Sequence, residues 1–254
     1  MGALSLSELR AKLEALYHTY HQPAYRVYDP VEKVWGYTHP RDQELVGLFA
    51  ALFAWGRREV AIRKTTLLLE AIGNSPYHAL HEGYFPHDFS WQHRTWRLSD
   101  VEALWRVLGR LYRKEGSLEA FFWRRRRDWE GAIAEFQEFI YAQAPQLQRH
   151  MGSIRRGSPS KRLQLWLRWM VRRDCIDPGP WEGIKPEVLF VPIDTHWLQW
   201  LRREGILSRR QPTWNTVQKS TSLFRTLSPA DPLRYDFALV TASALGYLVP
   251  QRES

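Results

Sequence analysis

The residue in this sequence with the best setting for nucleophilic chemistry is Lys161. It stands in GSPSKRLQLWLRWMVRRD (157–174), where glycine, serines and proline run into a helical pattern and the lysine falls in its opening turn. A helix N-terminus offers unpaired backbone N–H groups and a positive dipole end, so it attracts phosphate and disfavours an ammonium. An amine that is neutral part of the time attacks electrophilic carbon. By itself the segment reads more simply as a solvated lysine that grips a phosphate. The second residue is Asp194, in VPIDTHWLQWL (191–201), where an apolar approach delivers a carboxylate to a helix start. Alone it reads as an ordinary N-cap, worth about 1 kcal/mol. His196, in the same turn, reads alone as a packed or phosphate-touching side chain.

Together the two residues suit cleavage of an N-glycosidic bond. Positive charge builds on the sugar as that bond breaks, and a carboxylate stabilises it and helps to remove protons. An amine that attacks the anomeric carbon forms a Schiff base, which permits strand cleavage. The target base must first leave the duplex, so an aromatic pocket is expected.

The elements that must position this pair are helical. Glycines and prolines, fifteen of each, fall between segments rather than inside them, and strand signals are scarce. Residues 5–20 read as a helix opened by a Ser5/Glu8 capping box. A nearly all-apolar, buried helix is expected from near Asp42, as its cap, to Gly56, and another over 57–72 closed by Gly73. The stretch 74–94 reads as loop or broken structure. Ser99 and Ser117 are expected to cap helices running to Arg113 and to about Arg127, followed by helices over 129–142, from about 160 to 174, from Thr195, from Thr213 and over 235–246. The fold class is mainly α, a bundle of roughly ten short helices.

Several stretches resemble the helix-hairpin-helix DNA glycosylase superfamily, the endonuclease III and 8-oxoguanine glycosylase group. VPIDTH followed by a helix is similar to its VDTH or VDVH segment, whose catalytic aspartate matches Asp194. SPSKRLQLWLRWM is similar to the second helix of the hairpin, whose lysine in bifunctional members matches Lys161. Their separation of 33 positions resembles that of the archaeal 8-oxoguanine glycosylase branch. RDQELVGLFAALFAWGRREV (41–60) is similar to the early helix pair after which the superfamily inserts groups into DNA, and YDFALVTASALG (235–246) to its closing helix. The usual Leu-Pro-Gly-x-Gly of the hairpin is replaced by GSIRRGSPSK. The chain as a whole also resembles a widespread bacterial family of unknown function, on PYHAL, KRLQLWLRWMVRRD and PIDTHW.

The resemblance implies a two-lobed helical fold with a DNA groove, one lobe from 1–40 plus 210–254 and the other from about 41–209. It implies base-excision repair of duplex DNA, with an oxidised purine such as 8-oxoguanine removed by Lys161 and Asp194 as N-glycosylase and AP lyase. Arg155, Arg156, Gly157, Ser158, Ser160, Arg162 and His196 are the expected DNA contacts. Thirteen tryptophans include Trp55, Trp166, Trp169 and Trp197 as candidates for the base pocket, although those at helical spacing (166, 169, 197 and 200) are mostly core material. Arg168, Arg172 and Arg173 read as a continued basic face. RRRRD (124–128) reads as a solvated helix face. Asp174 and Asp177 read as arginine partners, and Asp231 and Asp236 as caps or partners.

Composition agrees with a polyanionic partner: the net charge is +9 and the pI near 9.8. The single cysteine, Cys175, cannot by itself hold a disulfide, an iron–sulfur cluster or a structural zinc ion. No cofactor or metal is expected. No apolar run is long enough to cross a membrane, and the opening residues lack an export signal, so a cytoplasmic monomer is expected. The rival reading is a non-catalytic DNA-binding or repair-accessory protein that keeps the fold. A helical protein-interaction module is a third, and it predicts no DNA affinity.

Overall fold

Side chains next to the helix start cap about half of the helices. Ser5 Oγ accepts the Glu8 N–H while the Glu8 carboxylate accepts the Ser5 N–H, opening α1 (Leu6–Tyr20). The computed structural model describes residues 5–207 and 211–247; the parts of the two expected lobes at 1–4, 208–210 and 248–254 lie outside them. Two four-residue helices follow, α2 (Pro23–Arg26) and α3 (Glu32–Trp35), then α4 (Pro40–Phe53), α5 (Arg58–Ile72) and α6 (Pro76–His81). A hairpin of β1 (Gln92–His93) and β2 (Trp96–Arg97) pairs antiparallel, with Gln92 opposite Arg97 and His93 opposite Trp96. The chain continues as α7 (Leu98–Glu115), α8 (Leu118–Arg125), α9 (Trp129–Gln143), α10 (Gln148–Met151), α11 (Lys161–Val171), α12 (Thr195–Arg203), α13 (Trp214–Leu227) and α14 (Asp236–Ala244). The described chain is therefore mainly helical, in fourteen helices rather than ten.

The centre of the fold is α4, buried without a break from Glu44 to Phe53. It packs against α3, α5, α6 and above all α11, while α1 packs against α14 and brings the two ends of the described chain together. One apolar cluster runs from Leu9 to Leu239. Gly47 sets how closely α4 and α11 approach. A Cβ built there would stand 2.7 Å from the Met170 Cε and 3.3 Å from the Trp166 ring. The flexible Met170 can yield to one methyl group, but not to a branched side chain beside a fixed indole. Gly47→Val should therefore cost about 1–3 kcal/mol, read as a lower denaturant midpoint, with Gly47→Ala much milder.

Where expectation and structure part, a tertiary partner decides. Asp42 lies inside α4 and accepts from the Ser75 hydroxyl and the Tyr77 N–H (2.7 Å), so it joins two helices instead of capping one. Ser99 does not cap α7; the Asp100 carboxylate takes the Arg97 N–H at 3.0 Å and starts the helix two residues earlier. Ser117 does cap α8, accepting the Ala120 N–H at 2.9 Å. The stretch 74–94 holds α6 and β1, and two-residue strands are too short to show a period. Arg168 and Arg172 do not form a basic face, being 2% and 4% exposed. They point inward because Asp177, itself fully buried, accepts from both guanidinium groups. Among the described residues no helix is long and apolar enough to cross a membrane.

Candidate functional site

Lys161 is the first residue of α11, whose inner face (Leu163, Trp166, Leu167, Met170) is buried against α4. That packing fixes the direction in which the lysine leaves the helix. Asp194 caps α12: its Oδ1 accepts the Trp197 N–H at 2.9 Å. Its Oδ2 is left facing outward, 3.5 Å from the Lys161 Nζ. Both groups keep contact with solvent, the lysine side chain at 29% and the aspartate at 18% exposure.

The pair sits in one pocket of about 150 Å³, lined also by Asp29, Trp55, Arg58, Arg168, His196 and Asp236. A void of roughly this volume accepts a benzene-sized ring. His196 Nδ1 lies 2.9 Å from the Ser243 Oγ, which orients the imidazole at the pocket wall. Trp55 is 41% exposed at the rim. The Arg94 guanidinium covers its ring at 4.9 Å and Arg162 approaches it at 5.5 Å. Arg94, at the hairpin turn, has φ +55°, left-handed backbone that a non-glycine residue adopts at a cost.

The turn before α11 is built differently from a phosphate nest. The Gly157 N–H donates to the Ile154 carbonyl at 2.9 Å, the Ser158 N–H to Ser153 at 2.9 Å, and the Ser160 N–H to the Ser158 hydroxyl at 3.2 Å. Buried Gln137 clamps the loop, donating to the Ser160 Oγ at 3.0 Å and accepting the Ile154 N–H at 3.0 Å. The backbone donors of Gly157, Ser158 and Ser160 are thus spent, and none of the three offers phosphate the N–H expected of it. Arg162 also departs from expectation. It donates to the Leu52 carbonyl at 3.1 Å, and burial pushes its pKa down to about 10, so it remains a cation but faces inward. Arg155 pairs with Glu138 on the surface, and Arg156 donates to Gln148 at 3.3 Å.

Three of the four tryptophans expected at a base pocket are core residues. Trp166 and Trp169 are fully buried and Trp197 is 1% exposed. Trp166 donates to the Glu44 carbonyl at 3.1 Å, and Trp197 donates to Asp236. Their spacing suits a helix face, and α4 and α14 cover that face. Of the four, Trp55 alone reaches the pocket. Residues that spacing did not single out, Asp29, Arg58, Phe237 and Val240, come from elements far along the chain. Leu165 had a signal: it lies one helical turn beyond Lys161 on the same face.

Beneath the pocket, Arg168 and Arg172 bind Asp177, Asp236, Asp231 and Asp174. Burial works against both charged guanidinium groups, but the carboxylates outweigh it and hold their pKa values above the ordinary arginine range. For Asp174, burial favours the neutral acid, but His21 and Arg172 prevail and hold its pKa well below the usual carboxylate range. His21, Asp174 and Cys175 bring atoms able to bind a metal within 4.8 Å of one another. Arg172 stands 2.9 Å from the Asp174 Oδ2, so a guanidinium already neutralises the carboxylate that an ion would need.

A family model described as a protein of unknown function matches residues 29–244, a span that includes every residue lining this pocket. No curated protein and no solved structure matches the chain.

Proposed function

The chain belongs to the DUF2400 family, and from the chemistry of its pocket we propose that it is a base-excision DNA glycosylase with lyase capacity, built on a two-lobed helix-hairpin-helix plan. The observation that carries this reading is the 3.5 Å approach of the Lys161 Nζ to the Asp194 Oδ2 inside one solvent-reached pocket. The Lys161 amine attacks C1′ of a damaged nucleotide. The C1′–N bond breaks, its electron pair leaves with the base, and the base takes up a proton. Asp194 stabilises the positive sugar as this happens. Opening of the sugar ring at O4′ then yields the Schiff base between Nζ and C1′. Loss of a C2′ proton expels the 3′-phosphate with its electron pair, and water releases the lysine. An oxidised purine in duplex DNA is the substrate class this reading takes from the family resemblance.

DNA is held at the rim. Arg57, Arg58, Arg94 and Arg97 have no carboxylate partner among the described residues, and Arg58 and Trp55 line the pocket mouth. Unpaired cations beside an exposed indole suit phosphates next to an extruded base. Arg58→Gln with Arg94→Gln should weaken binding to every duplex alike and flatten the log–log salt dependence by about one unit for each phosphate no longer neutralised. Fluorescence anisotropy of a labelled duplex between low and moderate salt measures both effects. An unchanged slope would move the DNA face elsewhere.

The deciding experiment is borohydride trapping on duplexes carrying a panel of oxidised purines, scored for base release and for a covalent complex. Binding without release across the panel would favour the accessory-protein reading. An absence of DNA binding even at low salt would remove both.

A further inference from the structure

PYHAL (76–80), which takes no part in the Lys161 pocket, belongs to a second one. This pocket, of about 430 Å³, lies between the first turn of α4 and helices α6 and α7 and is lined by Arg41, Tyr77, Leu80, His81, Gly109, Tyr112, Arg113 and Gly116. On α6, Tyr77, Leu80 and His81 share one face; on α7, Gly109, Tyr112 and Arg113 do the same, and Gly116 follows as the cap of that helix. Arg41 and Ala54 lie thirteen positions apart at opposite ends of α4. At 1.5 Å per residue this places the two pockets about 20 Å apart.

The charge in this pocket is positive and unspent. Arg41 and Arg113 have no carboxylate partner among the described residues. Arg41 donates to the Tyr77 hydroxyl and lies 4.8 Å from the centre of that ring. Tyr77 is in turn stacked on His39 at 5.6 Å, so the guanidinium rests on a braced support. Gly109 leaves room for Arg113 to fold back along α7, its Nη1 only 3.6 Å from where a Cβ would be. The nearby acids are committed. Asp42 accepts from Ser75 and Tyr77, Glu44 accepts from Tyr112, Trp181 and two backbone N–H groups, and Glu82 pairs with His81. Leu80 and the tyrosine rings supply apolar walls.

Two guanidinium groups around an apolar hollow of ligand size fit a small organic dianion, since the planar fork of arginine matches phosphate oxygens two at a time. We propose that this pocket binds a phosphate monoester on a compact organic body, of the mononucleotide class, independently of the chemistry at Lys161.

Calorimetric titration of the full chain with adenosine 5′-monophosphate, inorganic phosphate and adenosine tests the assignment. The monophosphate should bind at one site per chain, inorganic phosphate more weakly and adenosine not at all. Arg41→Gln and Arg113→Gln should each weaken binding at least tenfold, with unfolding midpoints confirming that both variants fold. Gly109→Leu, which fills the hollow and keeps both charges, should abolish binding, and Lys161→Gln should leave it intact. Three results would overturn the assignment: no binding by the natural chain, binding that survives removal of both arginines, or binding abolished with Lys161. None of them bears on trapping of lesion DNA.

Discussion

Lys161→Gln is expected to abolish the borohydride-trapped complex with DNA that carries an oxidised purine, and to leave most of the DNA affinity in place. Only an amine can form the Schiff base that borohydride reduces, whereas binding is spread over many phosphates and weakens little with one cation fewer. Asp194→Asn should act on rate instead. The amide still accepts the Trp197 N–H that the carboxylate now takes at 2.9 Å, so α12 keeps its cap. The charge 3.5 Å from the Lys161 Nζ is gone, and with it the partner of the developing sugar cation. A drop of about 10²–10³ in the single-turnover rate is the scale for removing one such electrostatic interaction. The two variants therefore differ in kind, one without the covalent species and the other reaching it slowly. A trapped complex that persists in Lys161→Gln would assign the nucleophile to another amine.

The largest effect on stability is expected from Asp177→Ala. Its carboxylate is fully buried and accepts from Arg168 at 2.8 and 3.1 Å as well as from Arg172. Without it two buried guanidinium groups are deprived of their shared partner, a change that typically costs about 3–5 kcal/mol. Asp177→Asn, which keeps the shape and one acceptor, should cost less. Denaturant unfolding separates the three proteins. The same cluster sets an acid limit. Asp174 has its folded-state pKa below the unfolded value, so its contribution is complete above about pH 5 and fades as pH falls through about 4 and below. Asp174→Asn should lower stability at neutral pH and flatten the decline on acidification. Arg168 and Asp236 also line the Lys161 pocket, so a weakened cluster should slow base release as well.

How much of this was legible depended on the range of the forces involved. Ser5 with Glu8, Ser117, Thr213 and Asp194 cap their helices where spacing placed them, because a cap is an arrangement between residues three apart. Gly73 ends α5 with φ +107°, a conformation only glycine adopts freely. These features, and the mainly helical class that follows from them, belong to the sequence itself. The helical spacing of Trp166, Trp169, Trp197 and Trp200 already pointed to the core, where all four lie; the folded chain alone decided that Asp42 joins two helices and that Arg168 and Arg172 are buried. A charged side chain goes inward only if distant partners cover and neutralise it, and no local pattern fixes where those partners will stand. The approach of Lys161 to Asp194 is of the same kind. Each helix start could be read by itself, but the 3.5 Å between them comes from the packing of α11 on α4 and of α12 on α14.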